Sequence, residues 1–230
     1  LKLNGKSSLL TLKTVFPYSQ AFLSRILNSL EDKIFVLGKA RETEYAAKRI
    51  FDENNLNYPL FEIHENGTTK ELGIITPIEP KGFYFSSKSK KILSQYSIDL
   101  PYFLNDLRPS GFLGHLVPNQ NPELNLPKDI RMWSAEHCLK YLSLKSWDNI
   151  GNLIIGNIAF QKYLTKCTKK TVYKGTESTE RIKNYELLAN DVLSYGEAGS
   201  SAGGEQPKFL TTLLPENKPV IVKFSPPINS

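Results

Sequence analysis

The residues best suited to chemistry lie between Leu193 and Phe224. Tyr195-Gly-Glu-Ala-Gly-Ser-Ser-Ala-Gly-Gly-Glu-Gln-Pro-Lys208 is a run of small residues. It leads into an apolar strand from Phe209 to Leu214, a turn at Pro215-Glu-Asn-Lys218 and a returning strand from Val220 through Lys223 to Phe224. Such a loop can clamp phosphate. Without Cβ atoms, Gly203 and Gly204 let backbone N–H groups approach phosphate oxygens, and Lys223 adds a point charge toward the α- and β-phosphates. The spacing is neither a Walker loop nor a strict GxGxxG, so a flexible Gly/Ser turn between two strands is an equal reading of the bare pattern.

A second concentration of useful side chains is the basic N-terminus. Up to residue 49 there are nine Lys or Arg against four Asp or Glu, while the rest of the chain is close to balance within an overall charge of +6. Counterion release rewards clustered charge, which suits such a segment to nucleic acid, although a solvated surface has the same composition. Ser7 to Val15 fits a short helix, and Phe16-Pro17-Tyr18 breaks it. Ser19 then caps a second run with Ala21, Phe22, Ile26, Leu27 and Leu30 at helical spacing. Ile34 to Leu37 reads as a strand, Gly38 with Lys39 and Arg41 as a turn, and the segment through Tyr45 as the return. Helix, turn, helix and basic hairpin is the layout of a winged helix. In that layout Ser19, Gln20, Ser24 and Arg25 face a DNA major groove, with Arg25 the base reader, and Lys39 and Arg41 reach phosphates or the minor groove. The same helical hairpin would also serve as a protein-docking module.

The elements between these two regions are those of an α+β chain. Tyr58 to His64 and Leu72 to Ile75 alternate around Asn66-Gly67, a hairpin signal, and Gly82 to Phe85 adds another strand. Leu100–Leu107, Ser134–Leu144 and Asn152–Thr165 read as helices. Arg108-Pro-Ser-Gly-Phe-Leu-Gly-His-Leu-Val-Pro118 reads as a fixed, tight loop because of its glycines and prolines. His115 and His137 read as structural, since no two histidines have the spacing of a metal site or a nucleophile dyad. Trp133 and Trp147 read as core anchors. The basic run Lys162 to Lys174 reads as a solvated helix end.

Composition narrows the classes further. With 230 residues, 40% hydrophobic and 23% charged, the chain can bury a core without a staple. The longest apolar stretch, Leu153 to Phe160, is far short of the roughly 20 residues that span a bilayer. Cys138 and Cys167 form no CxxC pair, which excludes a disulfide framework and a zinc ribbon and points to a reducing cytoplasm. The chain opens on Leu1, so a trimmed start is expected.

Taken together, GSSAGGEQPKF and VIVKF resemble the nucleotide loop and ATP-lysine strand of the HipA-like serine/threonine kinases, the toxins of type II toxin-antitoxin systems. RPSGFLGHLVP and PELNLPKDIRMWS resemble the N-terminal subdomain of the branch that carries its own helix-turn-helix, the YjjJ-type. SQAFLSRIL and LGKARETEYAAKR resemble its winged helix. The resemblance implies a protein kinase that uses ATP and Mg²⁺, a protein substrate, DNA as a partner, an antitoxin, and no membrane. It implies nucleotide contacts from Gly203, Gly204, Gln206, Lys208 and Lys223, and an autophosphorylated serine at Ser201, with Ser200 adjacent, whose modification switches the kinase off. Glu205 fits uneasily beside a triphosphate. The family's catalytic and metal-binding aspartates lie beyond Phe224, so no catalytic residue is expected in this chain and it is expected to be inactive alone.

The expected organisation is a winged helix over residues 1–52, a HipA-like N-terminal subdomain over 53–175, and the first strands of a kinase-like N-lobe over 176–230. Two other readings compete with the kinase. One is a DNA-binding transcriptional regulator whose HipA-like body is a non-catalytic scaffold. The other is a kinase held off by docking of its own N-terminal module, with no DNA involved.

Overall fold

Antiparallel pairing dominates the computed structural model, which describes residues 1, 5–38, 42–50, 57–149, 151–168, 175–194, 206–216 and 218–225. The chain is α+β and divides into two units. The first comprises Leu1–Asp106 and Leu142–Lys162, the second Leu107–Tyr141 and Tyr163–Ser230.

The first unit opens with β1 (Ser7–Ser8), α1 (Leu9–Val15), α2 (Gln20–Ser29), β2 (Ile34–Leu37) and β3 (Glu44–Ala47). The strands form an antiparallel sheet of order β1-β3-β2. Ser8 takes the N-cap of α1, so the expected helix from Ser7 begins two residues later, after a short strand pairs Ser7 with Tyr45. The cap hydroxyl accepts from the Thr11 N–H, which fixes the break between strand and helix.

Five more strands make the second sheet of this unit: β4 (Tyr58–Ile63), β5 (Thr69–Pro77), β6 (Phe83–Ser87), β7 (Gln95–Ser97) and β8 (Leu153–Ile155), in the order β7-β6-β5-β4-β8. The Asn66-Gly67 hairpin forms as read, with Gly67 at φ +79° and the Asn66 side chain accepting from the Thr68 N–H. Tyr58, Leu60, Ile75, Phe83 and Phe85 are fully buried. The two sheets of the unit share a core of Leu37, Ala46 and Ile78, with Phe35 packed on Tyr84. Backbone bonds run from Arg49 N–H to the Pro77 carbonyl and from Glu79 N–H to the Ala47 carbonyl. The Arg49 guanidinium adds a bond to the Gly82 carbonyl and lies over the Phe83 ring.

Two expectations change here. Leu153–Ile155 is a strand against β4, and only α5 (Asn157–Thr168) is helical in the expected Asn152–Thr165 helix. Gly156, at φ +82° and closely packed on Ser143, makes the corner between them. Tyr102–Leu107 is a 3₁₀ segment rather than an α-helix.

The second unit holds α3 (Gly111–Gln120), most of α4 (Ala135–Lys145), β9 (Thr176–Glu177), α6 (Arg181–Ser194), β10 (Lys208–Leu214) and β11 (Lys218–Lys223). The RPSGFLGHLVP stretch is therefore not a loop: most of it is α3. Phe112 and Leu116, four residues apart, bury one face, and Gly114 is a packing residue. Pro118 sits in the last turn, where its missing N–H costs only one bond. Asp129 accepts side-chain and backbone bonds from Arg131, which hold its carboxyl at about 2. That support is present above the usual carboxylate range and is lost as pH falls toward 2. Trp133 is buried and donates to the Pro127 carbonyl, as an anchor should, and His137 Nδ1 accepts from the Ser134 N–H in a structural role.

A methyl group on Gly114 would lie 2.7 Å from the Pro109 carbonyl carbon and 3.1 Å from Ile130 Cδ1. Overpacking costs about 1–3 kcal/mol, against a gain in helix propensity of about 1 kcal/mol. Gly114→Ala should therefore lower the thermal midpoint by a few degrees. Calorimetry of the variant checks this, and a raised midpoint would remove the close-packing account.

Candidate functional site

The hairpin β10–β11 is built by alternation. Six residues of each strand pair in register from Lys208↔Lys223 to Leu213↔Lys218, and the parallel pairing of β10 with β9 completes the sheet β11-β10-β9. Phe209 and Val222, directly opposite each other, turn to one face and join Phe112, Leu116 and Val192 in a core. Phe209 is 3% exposed and meets the Tyr185 ring edge-on at 5.4 Å between centroids. The next pair, Leu210↔Ile221, must then turn to the other face, and these residues stay 52% and 53% exposed.

Lys208 and Lys223 share that open face. They are Cα partners across the strands, Lys208 half-buried and Lys223 exposed. Like charges placed directly opposite each other disfavour a strand pair, and two facing cations offer an anion two points of contact. Beside them lie two apolar side chains able to cover a flat ring. The arrangement therefore offers a cationic end for phosphate and an apolar stretch for a base. Gln206 is exposed just before β10. Ser200, Ser201, Gly203 and Gly204 lie outside the described residues.

The second candidate face is on α2 in the first unit. Ser19 is its N-cap, with Oγ accepting from the Phe22 N–H at 3.3 Å, which commits part of its hydrogen-bonding capacity to the helix end. Gln20 and Arg25 are exposed and Ser24 is half-buried. Arg25 lies on the side opposite buried Leu23 and Leu27, whereas Gln20 and Ser24, three residues before Leu23 and Leu27, flank their stripe, so the expected common face is only partly formed. The Arg25 side chain lies along the helix, with Nε 3.5 Å from the Ala21 carbonyl. Asn28 is exposed on this same side and was not singled out from sequence, although its spacing from Ser24 and Arg25 carries the signal. Lys39 and Arg41 lie outside the described residues.

The apolar side of α2 also differs from expectation. Leu23 and Leu27 are its buried residues, packed with Leu12 and Ile34. Phe22, Ile26 and Leu30 remain 36–40% exposed, and Ile26 and Leu30 line an apolar groove of about 1130 Å³ together with Val15 and Phe16. Among the described residues, no group of three or more His, Cys, Asp or Glu could hold a metal ion, and no helix is long and apolar enough to cross a membrane.

Comparison with known proteins adds two findings. Residues 54–164 match the family described as YjjJ-like toxin, middle domain. Toxin YjjJ of Escherichia coli (strain K12) is 33% identical over 230 residues, which is 99% of this chain and 50% of that protein. The chain thus spans half the length of this curated relative. No solved structure matches it. These likenesses support a toxin family.

If the two facing lysines repel, relieving the repulsion should stabilise the hairpin. Lys223→Thr should raise stability by up to about 1 kcal/mol at low salt, and the gain should fade at high salt. Denaturant titrations at two ionic strengths measure this, and a gain that ignores salt would point to strand propensity instead.

Proposed function

We propose that this chain is the N-terminal part of a HipA-like serine/threonine protein kinase toxin, and that the open face of β10–β11 is one wall of its ATP site. The observation that carries the reading is the pairing of Lys208 with Lys223 beside exposed Leu210 and Ile221. Lys223 would hold the α- and β-phosphates, Lys208 and Gln206 would flank them, and Gly203 and Gly204 would let the loop close over them. Leu210 and Ile221 would cover the adenine. When bound, Mg²⁺ neutralises charge developing on the phosphates, and its ligands belong to the part of the complete protein outside this chain. Kinase chemistry is mostly positioning, so this half of the cleft binds nucleotide weakly and transfers nothing by itself. The family likeness supports an antitoxin as a possible partner.

In the complete protein Ser201, or its neighbour Ser200, would be the internal acceptor. Its hydroxyl oxygen bonds to the γ-phosphorus, the bond to the bridging oxygen breaks, ADP leaves, and the hydroxyl proton passes to a base. Lys223→Ala in the complete protein should cut phosphate transfer to a protein substrate by at least 100-fold, on the order seen when a charge-stabilising donor is lost. It should also leave the Ser200–Ser201 peptide unphosphorylated by mass spectrometry. Transfer at the wild-type rate sinks the assignment.

A DNA-binding role for the N-terminal module, with or without kinase activity, is favoured by a separate observation. The order β1-α1-α2-β2-β3 and the sheet β1-β3-β2 suit a winged helix, with the polar side of α2 free for a major groove. Arg25→Ala should lower affinity for a selected operator by about 1–3 kcal/mol and relax its sequence preference. Selection from a random duplex library tests this. Enrichment of no sequence by the wild type would argue against the role.

A further inference from the structure

The β6–β7 loop is a second basic element, and the fold brings it to the β2–β3 hairpin. Its sequence is Lys88-Ser-Lys-Lys-Ile-Leu-Ser94, three lysines without a carboxylate. Lys88, Lys90 and Lys91 are exposed. The loop is ordered by its own serines: Ser94 Oγ accepts from the Ser87 N–H, the Ser87 hydroxyl donates to the Ser89 carbonyl, and Ser89 Oγ accepts from the Lys91 N–H.

The foot of the loop meets the hairpin. Ser94, Gln95 and Tyr96 line one concavity of about 480 Å³ with Gly38, Glu42 and Thr43. Lys6 spans it, 2.8 Å from Glu44 and 5.6 Å from the centre of the Tyr96 ring. Glu44 and Glu71 are engaged by Lys6 and Lys88 at 2.8 and 2.7 Å. Lysines that only guard a sheet edge stand in the edge strand. Here the edge strand β7 carries none, and the charge sits in the loop.

We infer that Lys90 and Lys91 form a second phosphate contact, which extends the duplex-DNA surface of the N-terminal module onto the β6–β7 loop. The inference rests on the DNA-binding reading above. Its partner is the sugar-phosphate backbone of double-stranded DNA, and the contact carries no sequence preference because it touches no base edge. Each phosphate neutralised adds about 0.9 to the slope of log affinity against log salt.

The test is the salt dependence of binding to random-sequence duplex DNA by the complete protein and its Lys90→Gln/Lys91→Gln variant. The slope should shrink by about 1–2, with affinity falling by the same factor on random and selected duplexes and the thermal midpoint unchanged. Lys90→Glu/Lys91→Glu should weaken binding further at one salt concentration. A wild type that binds with salt dependence and a variant of unchanged slope overturn this inference and leave the DNA reading intact. A wild type that shows no salt-dependent binding overturns both.

Discussion

The position of Phe209 decides what the β10–β11 hairpin can do. A strand shows alternate side chains to opposite faces, so seating Phe209 and Val222 against α3 and α6 commits Lys208, Leu210, Ile221 and Lys223 to the other face. A slip of one residue would put a lysine among Phe112, Leu116 and Val192, where its desolvation has no compensation. The aromatic contacts of Phe209 with Tyr185 and Phe224 therefore fix a register as well as a core. The chemistry proposed for this face follows from that register and from no special backbone geometry.

An analogous constraint governs the N-terminal module. Ala46 is fully buried and packs with Leu37 and Ile78, so β3 has no freedom to swing away from the five-stranded sheet. The Lys48–Ile78 bridge and the Arg49 contacts continue the attachment past the end of β3. A module held in this way presents α2, the β2–β3 hairpin and the β6–β7 loop in one fixed frame. Rigid presentation lowers the ordering cost of contacting an extended partner.

Local signals in the sequence were reliable wherever local physics decided the outcome. Ser19 as a cap, Ile34–Leu37 as a strand and Asn66-Gly67 as a hairpin are set by neighbours only a few residues away. The failures came where distant packing assigned a residue its role. Gly114 looks like a turn glycine until Pro109 and Ile130 are placed against it, and Leu153–Ile155 looks helical until β4 offers an unpaired edge. The exposed Phe22, Ile26 and Leu30 illustrate the same limit, since helical spacing marks an apolar stripe without saying how much of it is covered. In the candidate sites, the hairpin and Lys223 were legible from alternation. The facing of Lys208 with Lys223 required the register, and the approach of Ser94–Tyr96, at the foot of the β6–β7 loop, to the β2–β3 hairpin is a long-range contact that no local pattern encodes.

The strand order of the five-stranded sheet also bears on how the protein is made. β8 pairs with β4 at Leu60–Glu62, yet roughly ninety residues separate the two strands in the chain. At ordinary elongation rates a ribosome needs on the order of ten seconds to supply them. Throughout that interval the nascent first unit has an open edge at β4, with Phe61 waiting for the Phe160 ring on which it stacks. The first half of the chain thus leaves the ribosome with an unclosed sheet, and this is the stage at which a holding chaperone has something to bind.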